Sequence, residues 1–183
     1  DHDVTLDVTS GFDRVNDPAA TRNFRTPALD LDCIYGSGPE ASPHLYYQAP
    51  PEDERTPFQN IINGHHLLTL EDDLVRAPSA PEGNARRAAL IGDPRNDENR
   101  VISQIQLLMH KFHNAAFNYL YVEEAKECKT VNAIEVFENA QRLTRWHYQW
   151  IVVYEFLVHM VGKDLVEDIL CNGKAFYHPE DEP

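Results

Sequence analysis

Residues 91–122 read IGDPRNDENRVISQIQLLMHKFHNAAFNYLYV, and this stretch decides the fold class. From Asn99 onward, apolar side chains recur every three or four residues, which is the spacing of one face of an α-helix. The recurring residues are Val101, Ile105, Leu108, Phe112, Ala116 and Tyr119. The pattern predicts an amphipathic helix of about six turns. Asp93 and Asn96 are the candidates for the residue that caps its start.

A second helix is predicted from near Val131, ending at Gly162. Its apolar stripe consists of Ile134, Phe137, Ala140, Leu143, His147, Ile151, Tyr154, Val158 and Val161. The segment KDLVEDIL predicts a short third helix before Gly173. Because the link between the two long helices is short, we expect them to pack antiparallel.

The first hundred residues have a different composition. Ten of the 12 prolines and six of the 8 glycines lie before Arg100, which indicates loops and short helices. The predicted fold class is therefore mainly α, with an irregular, loop-rich N-terminal half around long helices. The 183 residues are enough for one sizeable domain with a core.

Charge and hydropathy exclude some partners. Lys and Arg number 16 against 30 Asp and Glu, and the net charge of -14 disfavours binding to a nucleic acid. No apolar run approaches the roughly 20 residues of a transmembrane helix. The three cysteines lack CxxC spacing, so a zinc or thioredoxin-like site is disfavoured.

The first group of residues that could carry out chemistry is the triplet Asp1-His2-Asp3. A histidine titrates near neutral pH, so His2 can accept a proton from a substrate and return it. On this triplet alone, an ordinary surface or core histidine is the more common explanation.

The second group is TPALDLD, residues 26–32. Thr26, Asp30 and Asp32 alternate with apolar residues, so their oxygens could share one side of an extended loop. Calcium prefers six to eight oxygen ligands in flexible geometry, and such a loop supplies several. A turn with solvated carboxylates explains the same pattern equally well.

The third group is IGDPRNDEN, residues 91–99, in which Arg95 and Glu98 lie three residues apart. A permanently charged arginine can stabilise negative charge that develops on an oxygen atom. A surface ion pair beside a helix cap is the alternative, and it would contribute about 1 kcal/mol or less.

Taken in order, four stretches resemble signatures of the animal-type haem peroxidases, particularly the bacterial members of the peroxidase–cyclooxygenase superfamily. They are DHD, TPALDLDCIYGSG, IGDPRNDEN and HKFHN, and the likeness extends from residue 1 to about residue 162. The resemblance implies an animal haem-peroxidase-like fold. It also implies that residues 1–183 form a single partial domain, the distal half of a haem peroxidase catalytic domain.

The resemblance implies a role for four residues around haem b. His2 matches the distal histidine that moves a proton between the oxygens of hydrogen peroxide, and Arg95 matches the distal arginine. Asp1 and Glu98 match the carboxylates that form ester links to the haem in several members. Asn99 stands where members with a third link have methionine, so no sulfonium bond is expected.

The resemblance also implies a calcium site. Asp3 matches a ligand beside the distal histidine, and the other ligands match Thr26, Ala28 through its carbonyl, Asp30 and Asp32. A calcium ion held there would fix the neighbouring histidine over the haem iron without redox chemistry of its own.

The proximal histidine that ligates iron in the family belongs to an RxGH-like motif after the helix that ends near Gly162. No such motif occurs before Pro183. The partner implied for this chain is therefore the remaining proximal half of the domain, which carries the iron-ligating histidine.

The stretch RWHYQW, residues 145–150, resembles the YRWH motif of cyclooxygenases, but Thr144 replaces the tyrosine. We therefore predict that His147 is a packed core histidine with a bonded ring nitrogen. His110 is interpreted in the same way, and His113 with Asn114 is predicted to fix helix packing. The pair His65-His66 is predicted to be solvated in a turn.

The resemblance implies an enzyme that reduces hydrogen peroxide and oxidises a halide, thiocyanate or small organic donor. A fatty-acid dioxygenase on the same scaffold and a catalytically silent adhesion module are the alternatives. A haem-free metal hydrolase has little support, because no further His/Asp motif completes a two-metal site. A secreted or extracellular location is the expectation, with neither a nucleic-acid partner nor a transmembrane segment in this chain.

Overall fold

The computed structural model describes residues 29–78, 87–127 and 130–173. Within these ranges the protein is helical and forms no β-strand, and two isolated bridges join Tyr46 to Leu67 and Arg76 to Ala89. The predicted mainly α class is therefore confirmed. The predicted site residues Asp1, His2, Asp3, Thr26 and Ala28 lie outside the described residues.

Six α-helices occur in the described ranges. They are α1 Asp32–Tyr35, α2 Pro57–Ile62, α3 Arg100–Glu127, α4 Ala133–Ile151, α5 Leu157–Val161 and α6 Lys163–Asn172. Short 3-10 turns cover Pro43–Leu45, Glu52–Glu54 and Pro94–Asp97, and a π-helical turn, Val152–Phe156, joins α4 to α5. None of the helices in the described part of the chain has the length and apolar character that a membrane span requires.

Side-chain caps and a glycine define the long helices. The Asn99 side chain accepts a hydrogen bond from the Val101 amide at 2.8 Å and caps α3, because the first amides of a helix have no partner within it. Asp93 caps the preceding 3-10 turn. Asn96, the other predicted cap, instead donates to a side chain of α3. Gly162, at φ +92°, separates α5 from α6 in a conformation that favours glycine.

Helices α3 and α4 pack against each other. The Phe112 and His147 rings lie 4.9 Å apart, and the His113 and Phe137 rings lie 5.2 Å apart. Only residues 128–132 join the two helices, and two long helices that contact each other across so short a link run antiparallel. The predicted packing direction therefore agrees with the structure.

The main core forms where the irregular front segments cover α3 and the first half of α4. Its buried members are Leu31, Ile34, Tyr35, Leu45, Tyr46, Ile62, Leu67, Met109, Ala116, Phe117, Val136, Phe137 and Ala140. Phe137 lies at the centre, with the rings of Tyr35, Tyr46 and His65 between 5.9 and 6.4 Å away. A smaller cluster of Leu74, Ile91 and Leu107 lies under the segment before α3.

The buried face of α3 differs from the predicted stripe. Val101, Ile105, Leu108 and Tyr119 are exposed. The buried residues are Ser103, Gln106, Leu107, Met109, His110, His113, Ala116 and Phe117. The buried face of α3 differs because it must supply hydrogen bonds to the backbone of the front segments that it contacts. It therefore carries amides and imidazoles among its apolar residues.

Polar side chains of α3 satisfy the backbone of the segment between α2 and residue 68. The Asn114 amide accepts from the Leu67 amide at 2.8 Å and donates to the Leu67 carbonyl at 2.9 Å. Ring nitrogens of His110 and His113 bond the carbonyls of Leu68 and His65. His110 is therefore the packed core histidine with a bonded ring nitrogen that was predicted, and His113 and Asn114 fix the packing of α3 against this segment.

Two other histidine predictions are wrong. His66 is buried rather than solvated, because its Nε2 bonds Asn118 on α3 at 2.9 Å and its ring meets Phe117 edge-on. His147 is exposed rather than part of the core, although its Nδ1 does bond the Leu143 carbonyl as predicted. The apolar stripe on α4 thus points partly away from the core of the described residues.

The turn before α3 lies directly on the backbone of α1. The Gly92 amide donates to the Cys33 carbonyl at 2.9 Å. A methyl group added at Gly92 would lie 2.7 Å from that carbonyl oxygen and 2.8 Å from the Asp32 oxygen. Both neighbours are backbone atoms, so only a residue without Cβ permits this approach.

We predict that acid destabilises the fold through its buried histidines. Burial lowers the pKa of His113 to about 4, and it also lowers the pKa values of His65, His66 and His110. The unfolded chain takes up these protons below about pH 6.5, whereas folded His113 does so only near pH 4. Stability is therefore complete above about pH 6.5 and falls towards pH 4, by about 3 kcal/mol for His113 alone.

Urea unfolding at pH 7 and pH 4.5 checks this expectation. A His113→Gln variant should lose less stability between the two pH values than the wild type. The matched control is Gln104→Leu, because Gln104 is an exposed side chain of the same helix and carries no titrating group. An equal loss of unfolding free energy between pH 7 and pH 4.5 in all three proteins would contradict the prediction.

We also predict that Gly92→Ala separates the turn before α3 from the backbone of α1. Overpacking against backbone atoms should lower the free energy of unfolding by about 1–3 kcal/mol. Amide hydrogen exchange should become faster within residues 91–98. Gly38→Ala is the control, because Gly38 has open space around it, so an added methyl group meets no neighbour. The variant is strained only by its φ of +91°. Slow exchange in residues 91–98 of Gly92→Ala would show that the close approach is dispensable.

Candidate functional site

Arg95 is held in a defined orientation by the residue that caps its own turn. Asp93 accepts from the Arg95 amide at 3.1 Å and from the guanidinium, with Nε at 2.9 and 3.1 Å and Nη2 at 2.6 Å from its oxygens. The Asp93 side chain is 7% exposed and that of Arg95 is 22% exposed. This pairing keeps a permanent positive charge in a fixed, mostly buried position.

A second arginine fixes the other end of the turn. Arg76 makes a two-pronged contact with Asp97, at 2.8 and 3.0 Å, and its guanidinium also bonds Asp73. The turn Pro94–Asp97 is thus clamped by an arginine–aspartate pair at each end. Sequence reasoning missed Arg76, because nothing local in the sequence indicates a partner 21 residues away.

The surface beyond Arg95 is apolar and begins with a carboxylate. Glu98 is exposed, and its amide donates to the Arg95 carbonyl at 3.2 Å. One helical turn later, Val101, Ile102 and Ile105 are exposed on the same side of α3. Arg100 and Gln104 are exposed among these apolar side chains, and an exposed carboxylate beside exposed apolar groups suits contact with the edge of a largely apolar porphyrin. These described residues therefore fit the implied haem.

The loop at residues 29–32 is bent rather than extended. Leu31 lies in the left-handed region at φ 60°, and α1 begins at Asp32, so the predicted extended alternation is wrong. The Asp30 carboxylate accepts from the Asp32 amide at 3.3 Å, which favours the bend. A branched residue in this conformation is strained, and such strain persists only where its surroundings enforce it.

Two side chains of α4 hold the backbone next to Leu31 in place. Arg145 Nε donates to the Asp30 carbonyl at 2.6 Å, and Gln149 donates to the Leu29 carbonyl at 3.0 Å. The Arg145 guanidinium also lies over the Tyr35 ring, 5.4 Å from its centroid. The RWHYQW stretch therefore anchors the front loop, a function that the sequence did not suggest.

Two of the five predicted calcium ligands can be located. Asp30 and Asp32 are both partly exposed, so their carboxylates are accessible to a cation. Within the ranges described, no three His, Cys, Asp or Glu residues form a metal-binding group. A calcium site would need the three further ligands that lie outside these ranges, and it remains a prediction.

The structure brings together the part of the candidate site that it describes. The Arg95 turn contacts the 32–33 backbone through Gly92, so the guanidinium and the two carboxylates belong to adjoining segments. The expected convergence of His2 with Arg95 falls on a residue outside the described ranges and stays a prediction.

Comparison with known proteins gives a family. A family model described as animal haem peroxidase matches residues 5–182, which includes Arg95 and Glu98 and begins after the Asp1–Asp3 triplet. Dual oxidase 1 of Caenorhabditis elegans is 24% identical over 174 residues, covering 92% of this chain and 11% of that protein. The chain thus spans about a tenth of the length of this relative, 11%. No solved structure matches.

The family match covers nearly the whole chain, including the turn and the helix that carry the located candidate residues. The helical architecture of the described residues agrees with it. The chain belongs to the animal haem peroxidase family.

Proposed function

We propose that this chain is the distal half of a haem-dependent peroxidase domain that reduces hydrogen peroxide and oxidises a halide, thiocyanate or small organic donor. The supporting observation is the family match across residues 5–182 together with the clamped, mostly buried Arg95 within it. The protein is proposed to act in a secreted or extracellular setting.

In the proposed mechanism, haem supplies the iron that exchanges electrons with peroxide and with the donor. His2 takes a proton from one oxygen of hydrogen peroxide and delivers it to the departing oxygen. Arg95 stabilises the negative charge that develops on that oxygen. Because Asp93 already holds the guanidinium, no reorganisation is needed when the oxygen–oxygen bond breaks.

Covalent attachment and calcium complete the proposal. Glu98 and Asp1 would hold the haem covalently: each carboxylate oxygen would replace a hydrogen of a haem methyl group, with hydrogen peroxide, reduced to water, accepting the two electrons, and the exposed Glu98 carboxylate permits this. Calcium would be held by Asp30 and Asp32 from the bent loop, with Asp3, Thr26 and the Ala28 carbonyl as its other ligands. This ion would hold the distal histidine in place rather than take part in electron transfer.

A further part of the proposal concerns the exposed apolar face of α4, the π-helical turn, α5 and α6. Its large exposed residues are Trp146, Trp150, Ile151, Tyr154, Phe156, Leu157, Met160, Val161, Leu165, Ile169 and Leu170. Between Trp146 and Gly162 the only Asp, Glu, Lys or Arg is Glu155, so this part of the face offers little charge for a polar partner, whereas α6 adds the exposed Lys163, Asp164, Glu167 and Asp168.

We assign this face to the remaining, proximal half of the peroxidase domain. A contiguous apolar surface of this extent is typical of an interface that is covered in the intact protein. The groove lined by Leu143, Trp146, His147 and Trp150 has a volume of about 460 Å³, enough to receive side chains of a packed partner.

We predict that Arg95→Ala impairs the reaction with peroxide. In the full-length protein expressed with haem, kcat/KM for hydrogen peroxide should fall about 10²–10³-fold, the usual loss on removing one preorganised charge donor. Lys126→Ala is the control, because Lys126 lies on the exposed surface at the end of α3 and its ammonium pairs with Glu123. Stopped-flow measurement of peroxide consumption gives kcat/KM for Arg95→Ala and for the control variant.

Three outcomes would contradict the proposal in different ways. Absence of a Soret band from the wild type would remove haem chemistry altogether. A Soret band without peroxide consumption would indicate the catalytically silent module. Consumption of a fatty acid and dioxygen in preference to peroxide would indicate the dioxygenase.

We predict that haem is covalently attached. Acid–acetone should fail to extract haem from the wild type and should release it from an Asp1→Val, Glu98→Gln double variant, since neither variant side chain can form the proposed link. Glu138→Gln, an exposed glutamate on α4, is the matched control and should retain its haem. Ready extraction from the wild type would show that the esters do not form.

A further inference from the structure

Gln106 joins three segments of the protein through a single buried amide. Its side chain is on α3, and the residue is 3% exposed. The amide oxygen accepts from Asn96 Nδ2 at 2.8 Å, on the turn that carries Arg95. The amide nitrogen donates to the Cys33 carbonyl at 3.0 Å and lies 3.0 Å from Nε2 of His110.

The direction of each of these hydrogen bonds follows from the acceptors. His110 Nδ1 bonds the Leu68 carbonyl at 3.0 Å, and a carbonyl can only accept, so the ring proton is on Nδ1. Nε2 of the neutral ring is then an acceptor, which takes the second proton of the Gln106 amide. The first amide proton goes to the Cys33 carbonyl, and the oxygen is left for Asn96.

Only an uncharged amide of this length matches all three partners. Glutamate would lose both donors and bury a charge, and leucine would leave the three partner groups without this hydrogen bond. Burial also keeps the His110 ring neutral by lowering its pKa, so the acceptor on Nε2 persists at neutral pH. The amide therefore acts as a rigid cross-link between the Arg95 turn, α1 and α3.

We infer that Gln106 is a positioning residue that sets the orientation of Arg95 relative to the Asp30–Cys33 loop. This inference rests on the proposed function, since it assigns to Gln106 the placement of the distal charge. The Gly92 amide bonds the same Cys33 carbonyl, so two donors from the two sides of the turn converge on one acceptor. Gly92 sets how closely the segments approach, and Gln106 sets how the turn is rotated above them.

The test compares Gln106→Leu with Gln104→Leu in the full-length haem protein. Gln104 has the same side chain two residues earlier on α3, but it is exposed and bonds the Asp72 carbonyl. Gln106→Leu should lower kcat/KM for hydrogen peroxide by about tenfold to a hundredfold, the size of loss expected from a displaced reacting group. It should leave kcat/KM for the electron donor unchanged, because the donor step does not use Arg95. Gln104→Leu should match the wild type in both.

Two further measurements separate positioning from general stability. Amide hydrogen exchange in residues 91–98 should rise in Gln106→Leu and stay unchanged in Gln104→Leu. Asn96→Ala removes the hydrogen bond from the turn to Gln106, at a residue outside the core. It is therefore the substitute test if Gln106→Leu fails to fold. It should lower the same peroxide parameter, and the double variant should show less than the summed loss.

The inference is overturned if Gln106→Leu and Asn96→Ala consume peroxide like the wild type, or if both rate parameters fall together. Fully additive losses in the double variant would also overturn it. If the wild type has no Soret band, the proposed function fails instead. The exchange rates in residues 91–98 then decide on their own whether the amide holds the turn.

Discussion

An irregular segment can be buried against a helix only if the helix supplies partners for its backbone. In this protein α3 does so with Asn114, His110 and His113, which bond the backbone of the segment that ends near residue 68. Each unsatisfied buried amide or carbonyl would cost about 1–3 kcal/mol, a large share of a domain's net stability. The position of the front half, and with it the core around Phe137, depends on this set of hydrogen bonds.

The same helix carries the candidate site at its other end. Its first turns follow the clamped Arg95, and Gln106 bonds both the turn and α1. The buried face of α3 is therefore continuous from the site to the middle of the helix, with polar contacts throughout. Rigidity at Arg95 is a property of packing over a large part of the domain rather than of the turn alone.

Much of the architecture could be predicted from the sequence. Periodicity indicated α3, α4 and α6, and the proline-rich front indicated loops, because both signals are local. The identity of the buried faces could not be read in the same way. An apolar stripe shows which residues avoid water in the finished protein, but Val101 and Ile105 are exposed among the described residues, and buried Gln106 breaks the polarity pattern.

The candidate site shows the same division. Arg95 and Glu98 were indicated by an ordered set of short motifs, whereas the partners that hold Arg95 in place depend on distant contacts such as the Arg76–Asp97 pair. The bend at Leu31 could not be predicted either, because leucine seldom adopts a left-handed conformation. Motifs identify the groups that do chemistry, and tertiary structure decides how they are held.

The π-helical turn at Val152–Phe156 has a consequence for the shape of the exposed apolar face. A π-turn accommodates an extra residue, and in an α-helix one residue corresponds to a rotation of about 100° about the axis. The stripe that periodicity predicts as straight from Ile134 to Val161 is therefore twisted partway along its length. Trp146 and Trp150 precede the twist and Met160 follows it, so a domain that covers all three would have to follow the stripe around the helix rather than contact one straight line of side chains.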